Sequence, residues 1–236
     1  TGTFHRVCNK LMRNFPFLYG KRNKDVLFLD EDGVKNFIRD QIIPKITPED
    51  MQYMLELAGG EENFPKMANL IKSFSNAISI LKSSVITPRD IENQINLPLW
   101  IDSILNKTPV VWHLVQNYYS LYEELMQEKN LMDFDDMINV PLAVLEISHE
   151  AREIVSRHFE TILVDEHQDS STEQGILLNA LSQYAKLYTV GDDGQSIYGW
   201  RGADVGFIRA RMAEPDVHSI ALFRNYRSCS RILALG

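Results

Sequence analysis

Along the first 160 positions, apolar residues recur mostly at three- and four-residue spacing. In FHRVCNKLMRNF, Phe4, Val7, Cys8, Leu11 and Met12 share one stripe, with Arg6, Lys10 and Arg13 off it, which predicts an amphipathic helix. Later helices share one start signal, a Thr N-cap with Pro at the first helical position. It occurs at Thr47-Pro48 in TPEDMQYMLELAGG, which closes on Gly59-Gly60, at Thr87-Pro88 in TPRDIENQI, and at Thr108-Pro109 in TPVVWHLVQNYYSLYEELMQEKN. The last carries Val111, Leu114, Tyr118, Leu121 and Leu125 as a core stripe. Its aromatics, Trp112, Tyr118, Tyr119 and Tyr122, read as packing rather than a stacking platform. A further helical pattern runs from Pro141 to about His158.

The period then changes. TILVD (161–165), KLYTVGD (186–192) and VHSIALF (217–223) are short, β-branched apolar runs separated by helical patterns at about 172–184 and 204–213. Strands alternating with helices predict an α/β fold with a parallel sheet. Ligands of such sheets collect at the carboxyl ends of the strands, where Asp165-Glu166 and Asp192-Asp193 both fall.

Composition adds bounds. The 236 residues suffice for one large domain or two small ones, and 44% hydrophobic with 24% charged residues is ordinary for a globular chain. A net charge of −8 gives no global sign of nucleic-acid binding, yet residues 1–24 hold Arg6, Lys10, Arg13, Lys21, Arg22 and Lys24 and no acid. That face is either a solvated helix surface or a phosphate-contacting edge. Cys8 and Cys229 match no metal spacing, which favours a reducing compartment. Neither a signal peptide nor an apolar run near 18 residues is present, so neither export nor membrane spanning is expected. The chain starts at Thr1 without Met and stops within a helical pattern, as an excised fragment would.

An acid at a strand end suits Mg²⁺ through its water shell, and an adjacent acid can take a proton from attacking water. Asp165 and Glu166 have that placement, which is the logic of nucleotide hydrolysis, although an acid there also caps the following helix. TVGDDGQSIYGWRGA adds Gln195, Tyr198, Trp200 and Arg201 in one Gly-punctuated loop. The Gln195 amide suits a phosphate or water. Trp200 is an expensive residue for a loop unless it stacks on a base beside Arg201, or folds back on the core with Arg201 in a salt bridge. In LFRNYRSCSRI, Tyr226 offers a ring to a nucleobase and Arg227 a fork to phosphate oxygens, as basic helix starts in general also do.

Together TGTFH, DFDDMI (133–138), ILVDEHQDSS, VGDDGQSIYGWRGA and LFRNYRS resemble, in order and spacing, the superfamily-one DNA helicases of the UvrD, Rep and PcrA type. The resemblance implies a partial RecA-like parallel sheet with helices, plus a mainly α-helical inserted subdomain. Residues 1–24 would belong to the motor domain, 25–140 to the insertion, 141–223 to the motor domain again, and 224–236 to a linker or second motor domain. It implies ATP and Mg²⁺ as cofactors. Asp165 and Glu166 form the metal side, Asp165 as the Mg²⁺-binding acid and Glu166 as the base that activates water. Gln195 resembles the γ-phosphate sensor, Tyr226 the ring stacked on adenine and Arg227 the arginine at the γ-phosphate. Thr3, Phe4, His5, Tyr198, Trp200 and Arg201 fall on the DNA side, Trp200 as the stacking aromatic. Gln168 and Asp169 would join the network between the two sites. DFDDMI has no assigned role beyond a structural one for Asp135 and Asp136. Partners would be single-stranded DNA and duplex junctions, translocation 3′ to 5′, and location the bacterial cytoplasm or nucleoid.

The chain also departs from the family pattern. It contains no G-x-x-x-x-G-K-[ST]: the sole Gly-Lys pair, Gly20-Lys21, is followed by Arg22. His167 stands where the family has an aromatic, Ser170-Ser171 where Thr-Asn is common, and Gly194 replaces a frequent third acid. An isolated fragment of this kind is expected to be inert toward ATP. Two other readings are a non-catalytic single-stranded DNA-binding module and a two-metal polymerase or nuclease built on Gly191-Asp192-Asp193. The latter needs a strand directly after the turn, and the sequence there is broken by Gly199 and Gly202.

Overall fold

The computed structural model describes residues 1–93, 97–98, 101, 108–195, 205–222 and 224–227, of which 193 and 205–208 are described by backbone alone. Helix α1 (Phe4–Asn14) is capped by Thr3 and buries Cys8, Leu11 and Met12, while Arg6, Lys10 and Arg13 are exposed. A short strand β1 (Leu27–Phe28) and helix α2 (Glu31–Phe37) lead into the helices α3 (Pro48–Ala58), α4 (Met67–Ser83), α5 (Pro88–Asn93) and α6 (Pro109–Glu128). The Thr47-Pro48 start works as the sequence predicts. Thr47 accepts from the Asp50 amide, and Gly59 ends α3 at φ 78°, in the left-handed region open to glycine.

Strand β2 (Leu131–Met132) pairs in parallel with β1, and helices α7 (Asp136–Ile147) and α8 (His149–Ser156) follow. Beyond them lie β3 (Thr161–Val164), α9 (Thr172–Leu181), β4 (Lys186–Thr189) and α10 (Val205–Met212). Strands β3 and β4 pair in parallel, Thr161 opposite Lys186 and Val164 opposite Thr189.

Apolar burial divides into two clusters. One gathers residues between Phe37 and Met126, centred on Phe74, Leu114 and Tyr122. The other joins Cys8, Leu11, Met12 and Leu18 to residues from Met132 to Leu181. The tyrosines of α6 do pack: Tyr118, Tyr119 and Tyr122 are all buried. Helix α6 buries Val115 and Met126 as well, whereas Val111, Leu121 and Leu125 are only half-buried, so the stripe lies slightly around the helix from its expected place.

Two other elements differ from expectation. Helix α7 begins at Asp136 and runs through Pro141, because Ile138, Pro141, Leu142 and Leu145 bury one continuous face that outweighs the lost backbone bond. Residues 217–222 form no strand, and Ile220 and Leu222 lie exposed. A β-prone run without a neighbouring strand has no ladder to join.

The two clusters meet at a buried ion cluster. Lys82, at the end of α4, places its ammonium 2.6 Å from Asp133, 2.8 Å from Asp136 and 2.7 Å from Glu123. These three carboxylates lie close enough to hold a metal ion, but the lysine ammonium occupies their centre. Tyr122 donates to Asp133, and Arg22 reaches from the other cluster to Asp136 at 3.1 Å and to the Leu131 carbonyl at 2.6 Å. Burial opposes the Lys82 charge, yet Asp133, Asp136 and Glu123 outweigh it and hold its pKa well above the ordinary lysine range. Burial, then Asp133, pushes Asp136 up to about 7.

Removing the lysine leaves buried carboxylates uncompensated. Lys82→Met is expected to lower the unfolding free energy in urea by about 3–5 kcal/mol at pH 8. The loss should shrink at pH 5, where Asp136 takes up a proton. Equal loss at both pH values would contradict this electrostatic account.

Candidate functional site

The β3–β4 pairing brings the two acid clusters side by side. The ladder continues past the strand ends, Val190 N–H donating to the Val164 carbonyl at 2.8 Å and His167 N–H to the Val190 carbonyl at 2.9 Å. Asp165 and Glu166 therefore leave the sheet beside Asp192. Glu166 adopts φ 51°, ψ 42°, a left-handed conformation costing a non-glycine residue on the order of 1 kcal/mol, and the turn is held by its amide bonded to Asp165 Oδ1 at 3.0 Å.

Gln168 joins the loops. Its Nε2 donates to Glu166 Oε2 at 2.7 Å, and its Oε1 accepts from the Asp192 amide at 3.0 Å. On the other side of Asp192, Gln195 Nε2 donates to Asp192 Oδ2 at 2.6 Å. Glu166, Gln168, Asp192 and Gln195 thus form one hydrogen-bonded chain, in which Gln168 is buried and Glu166, Asp192 and Gln195 are exposed, as is Asp165 beside it.

The flanking groups are largely buried. Burial, then Arg211, lowers the pKa of His167, whose Nδ1 lies 3.2 Å from Ser170 Oγ. Asp169 Oδ1 is buried without a hydrogen-bond partner among the described residues. Glu173, in the first turn of α9, accepts from Ser171 Oγ at 2.6 Å through one oxygen, while its other oxygen has no partner among the described residues. Burial raises its pKa to about 7, and Asp135 adds to the rise. Asp135 is itself pushed up to about 6, by burial and then by Asp133.

The DNA-side residues expected at the start of the chain separate by role. Thr3 caps α1, accepting from the Arg6 amide at 3.4 Å, and Phe4 packs against the second cluster. His5 stacks on Phe134, with ring centroids 3.6 Å apart and planes at 23°, and burial lowers its pKa to about 4. Phe134 is 60% exposed. Sequence reasoning passed over this residue. The available signal was its position between inward-turned acids in DFDD, which forces the intervening side chain outward.

Tyr226 is exposed, with the Arg224 guanidinium 5.0 Å from its ring. Arg227 is exposed and its amide bonds to Asn225 Oδ1. No hydrogen bond among the described residues joins either to the acid loops. Tyr198, Trp200 and Arg201 lie outside the described residues. No described helix is long and apolar enough to cross a membrane.

The parallel β3–β4 pair thus carries acids at both strand ends, bridged by the buried Gln168, and comparison with known proteins shows the family. Residues 1–215 match the UvrD/REP helicase N-terminal domain, and the chain belongs to that family. Among its relatives are the ATP-dependent DNA helicase PcrA of Staphylococcus aureus strain Mu50 and that of Staphylococcus epidermidis. Each is 30% identical over 233 residues, covering 98% of this chain. The chain spans 28% of the length of each of these relatives.

Glu173 yields a pH test. Its pKa rises from 4.5 to about 7 on folding, so the folded state binds the proton more tightly and stability falls as pH rises through that window. Glu173→Gln is therefore expected to raise the melting temperature at pH 8, by on the order of 1–3 kcal/mol of stability, and to change little at pH 4. A variant less stable than the parent at pH 8 would contradict the assignment.

Proposed function

We propose that the chain forms part of the first motor domain of an ATP-dependent DNA helicase, which couples ATP hydrolysis to 3′–5′ movement on single-stranded DNA. The observation that carries this reading is the hydrogen-bonded chain from Glu166 through Gln168 and Asp192 to Gln195. In the proposed roles, Asp165 binds Mg²⁺, Glu166 takes a proton from the attacking water and Gln195 senses the terminal phosphate. Bound Mg²⁺ would neutralise charge developing on the phosphate oxygens. The exposed carboxylates at the end of β3 are hard oxygen donors and fit that ion. Tyr226 and Arg227 are proposed for the adenine and γ-phosphate, and duplex junctions for the DNA substrate. The bacterial relatives support a cytoplasmic or nucleoid location.

The second cluster, fed by α1 and by residues from Met132 onward, is proposed as the RecA-like motor core, and the helices packed on the first cluster as its insertion. The exposed Leu163 and Tyr188 on one face of the β3–β4 pair support a larger sheet, since parallel sheets are ordinarily covered on both faces. The DNA surface is proposed on the basic face of α1 beside the His5–Phe134 stack, and Tyr198, Trp200 and Arg201, which lie outside the described residues, are proposed as DNA contacts on the resemblance alone. A non-catalytic single-stranded DNA-binding role is the second reading. It is favoured by the exposed basic face of α1, where Arg6, Lys10 and Arg13 can meet a strand without ATP.

Two measurements separate these readings. In the full-length protein, Glu166→Gln should reduce ATP turnover by about 100-fold or more while retaining DNA binding, whereas the 236-residue chain alone should show no turnover. Turnover by the isolated chain, or undiminished turnover in Glu166→Gln, would contradict the assignment. Phe134→Ala should weaken single-stranded DNA binding by roughly 1–3 kcal/mol without changing the dependence on salt, whereas Arg6→Ala should flatten that dependence. Unchanged affinity in Phe134→Ala would remove the stacking role.

A further inference from the structure

We propose that the cavity where the two apolar clusters meet is a binding site for a small organic amine, an apolar body carrying one ammonium group. The site lies apart from the acid loops and does not depend on their proposed role in ATP hydrolysis.

The cavity measures about 250 Å³ and lies between the end of α4, the start of α5, and helices α6 and α7. An apolar cavity of about 150 Å³ takes one benzene ring, so this volume suits a ring with a short arm. Its wall is drawn from both clusters: Ile86 and Tyr119 from the first, Val85, Val140 and Leu142 from the second. Ala143 and Glu146, both exposed, form its rim.

The wall is held in a strained form. Helix α4 ends with the Val85 amide bonded to the Lys82 carbonyl and the Ile86 amide to the Leu81 carbonyl, each at 2.9 Å. That motif sets residue 85 in the left-handed region, at φ 58°, where glycine is usual and a β-branched residue is an outlier. Glycine would relieve the strain but take the side chain out of the wall. Backbone strain of this kind gathers at ligand sites, and here it borders a cavity.

The polar lining selects the ligand. Asn139 Nδ2 donates to the Lys82 carbonyl at 3.0 Å, and a carbonyl only accepts, so the orientation of the amide is fixed. Its Oδ1 is buried without a hydrogen-bond partner among the described residues, and a ligand N–H would satisfy it. Charge then decides among donors. The carboxylates of Asp133, Asp136 and Glu123 outnumber the cations Lys82 and Arg22. Glu146 adds a further carboxylate that meets no cation among the described residues. This negative excess favours an ammonium group and penalises an anion. A metal ion finds no room among the three inner carboxylates, because the Lys82 ammonium occupies their centre.

The test titrates the full-length protein at pH 8 with 4-phenylbutylamine, 4-phenylbutanol and 4-phenylbutyrate, one body with a cationic, a neutral and an anionic head. Calorimetry should give a Kd of about 1 mM or tighter for the amine, binding at least about fivefold weaker for the alcohol, and none for the carboxylate. Ala143→Trp, which fills the cavity from its exposed rim, should weaken amine binding about tenfold or more. Glu146→Gln, an exposed change that serves if the Trp variant folds poorly, should weaken the amine about two- to fivefold and leave the alcohol unchanged. Equal affinity for amine and alcohol would overturn the proposal, as would no amine binding at about ten times that Kd. Amine binding that survives Ala143→Trp or, where that variant unfolds, Glu146→Gln would overturn it too. Since no outcome is read from ATP turnover, failure of the functional reading would leave these results as they stand.

Discussion

The buried ammonium of Lys82 is the constraint on which the arrangement of this chain depends. It lies where the two apolar clusters meet and satisfies carboxylates from α6 and from the DFDD turn that starts α7. Arg22 closes the same cluster from the loop ahead of β1. Charges desolvated to this degree destabilise a fold unless each finds its partner. The register between the helical cluster and the cluster beneath the β3–β4 pair is therefore set by charge as well as by shape. DFDD owes its form to this requirement. Asp133 and Asp136 turn inward to the lysine, and Phe134, next to Asp133, is left facing outward against His5.

The same segment connects to the acid loops by a second route. Burial raises the pKa of Glu173, in the first turn of the helix that follows Glu166–Ser170, and Asp135 adds to the rise. Strand β3 delivers its acids from an element paired along its length with β4. Gln168 spans the gap between the two loops, and hydrogen bonds set the groups proposed for hydrolysis and phosphate sensing, Glu166 and Gln195, relative to each other. Preorganisation of this kind is what a nucleotide site needs, because phosphoryl transfer is governed by positioning and electrostatics more than by covalent chemistry.

Much of this was legible in the sequence. The Thr-Pro starts, the amphipathic α1 and the two acid-ended strands all express local rules of capping and periodicity, and the structure follows them. What escaped was non-local. Nothing near Lys82 in the chain announces that it pairs with residues 41 to 54 positions later, and a proline at 141 argued for a helix start that packing overrode. The run at 217–223 carries strand composition, yet composition cannot supply a neighbour to pair with. Phe134 was hidden for the same reason: its exposure is a consequence of where its acidic neighbours find their cations.

The central claim is that the two acid loops form one nucleotide-hydrolysing unit whose work is tied to DNA. The most direct measurement is the rate of phosphate release from ATP by the full-length protein, with and without single-stranded DNA, at fixed Mg²⁺ and salt. The account predicts slow release alone and a rate at least about tenfold higher when the strand is bound. Release that is absent in both conditions, or equal with and without DNA, would contradict it.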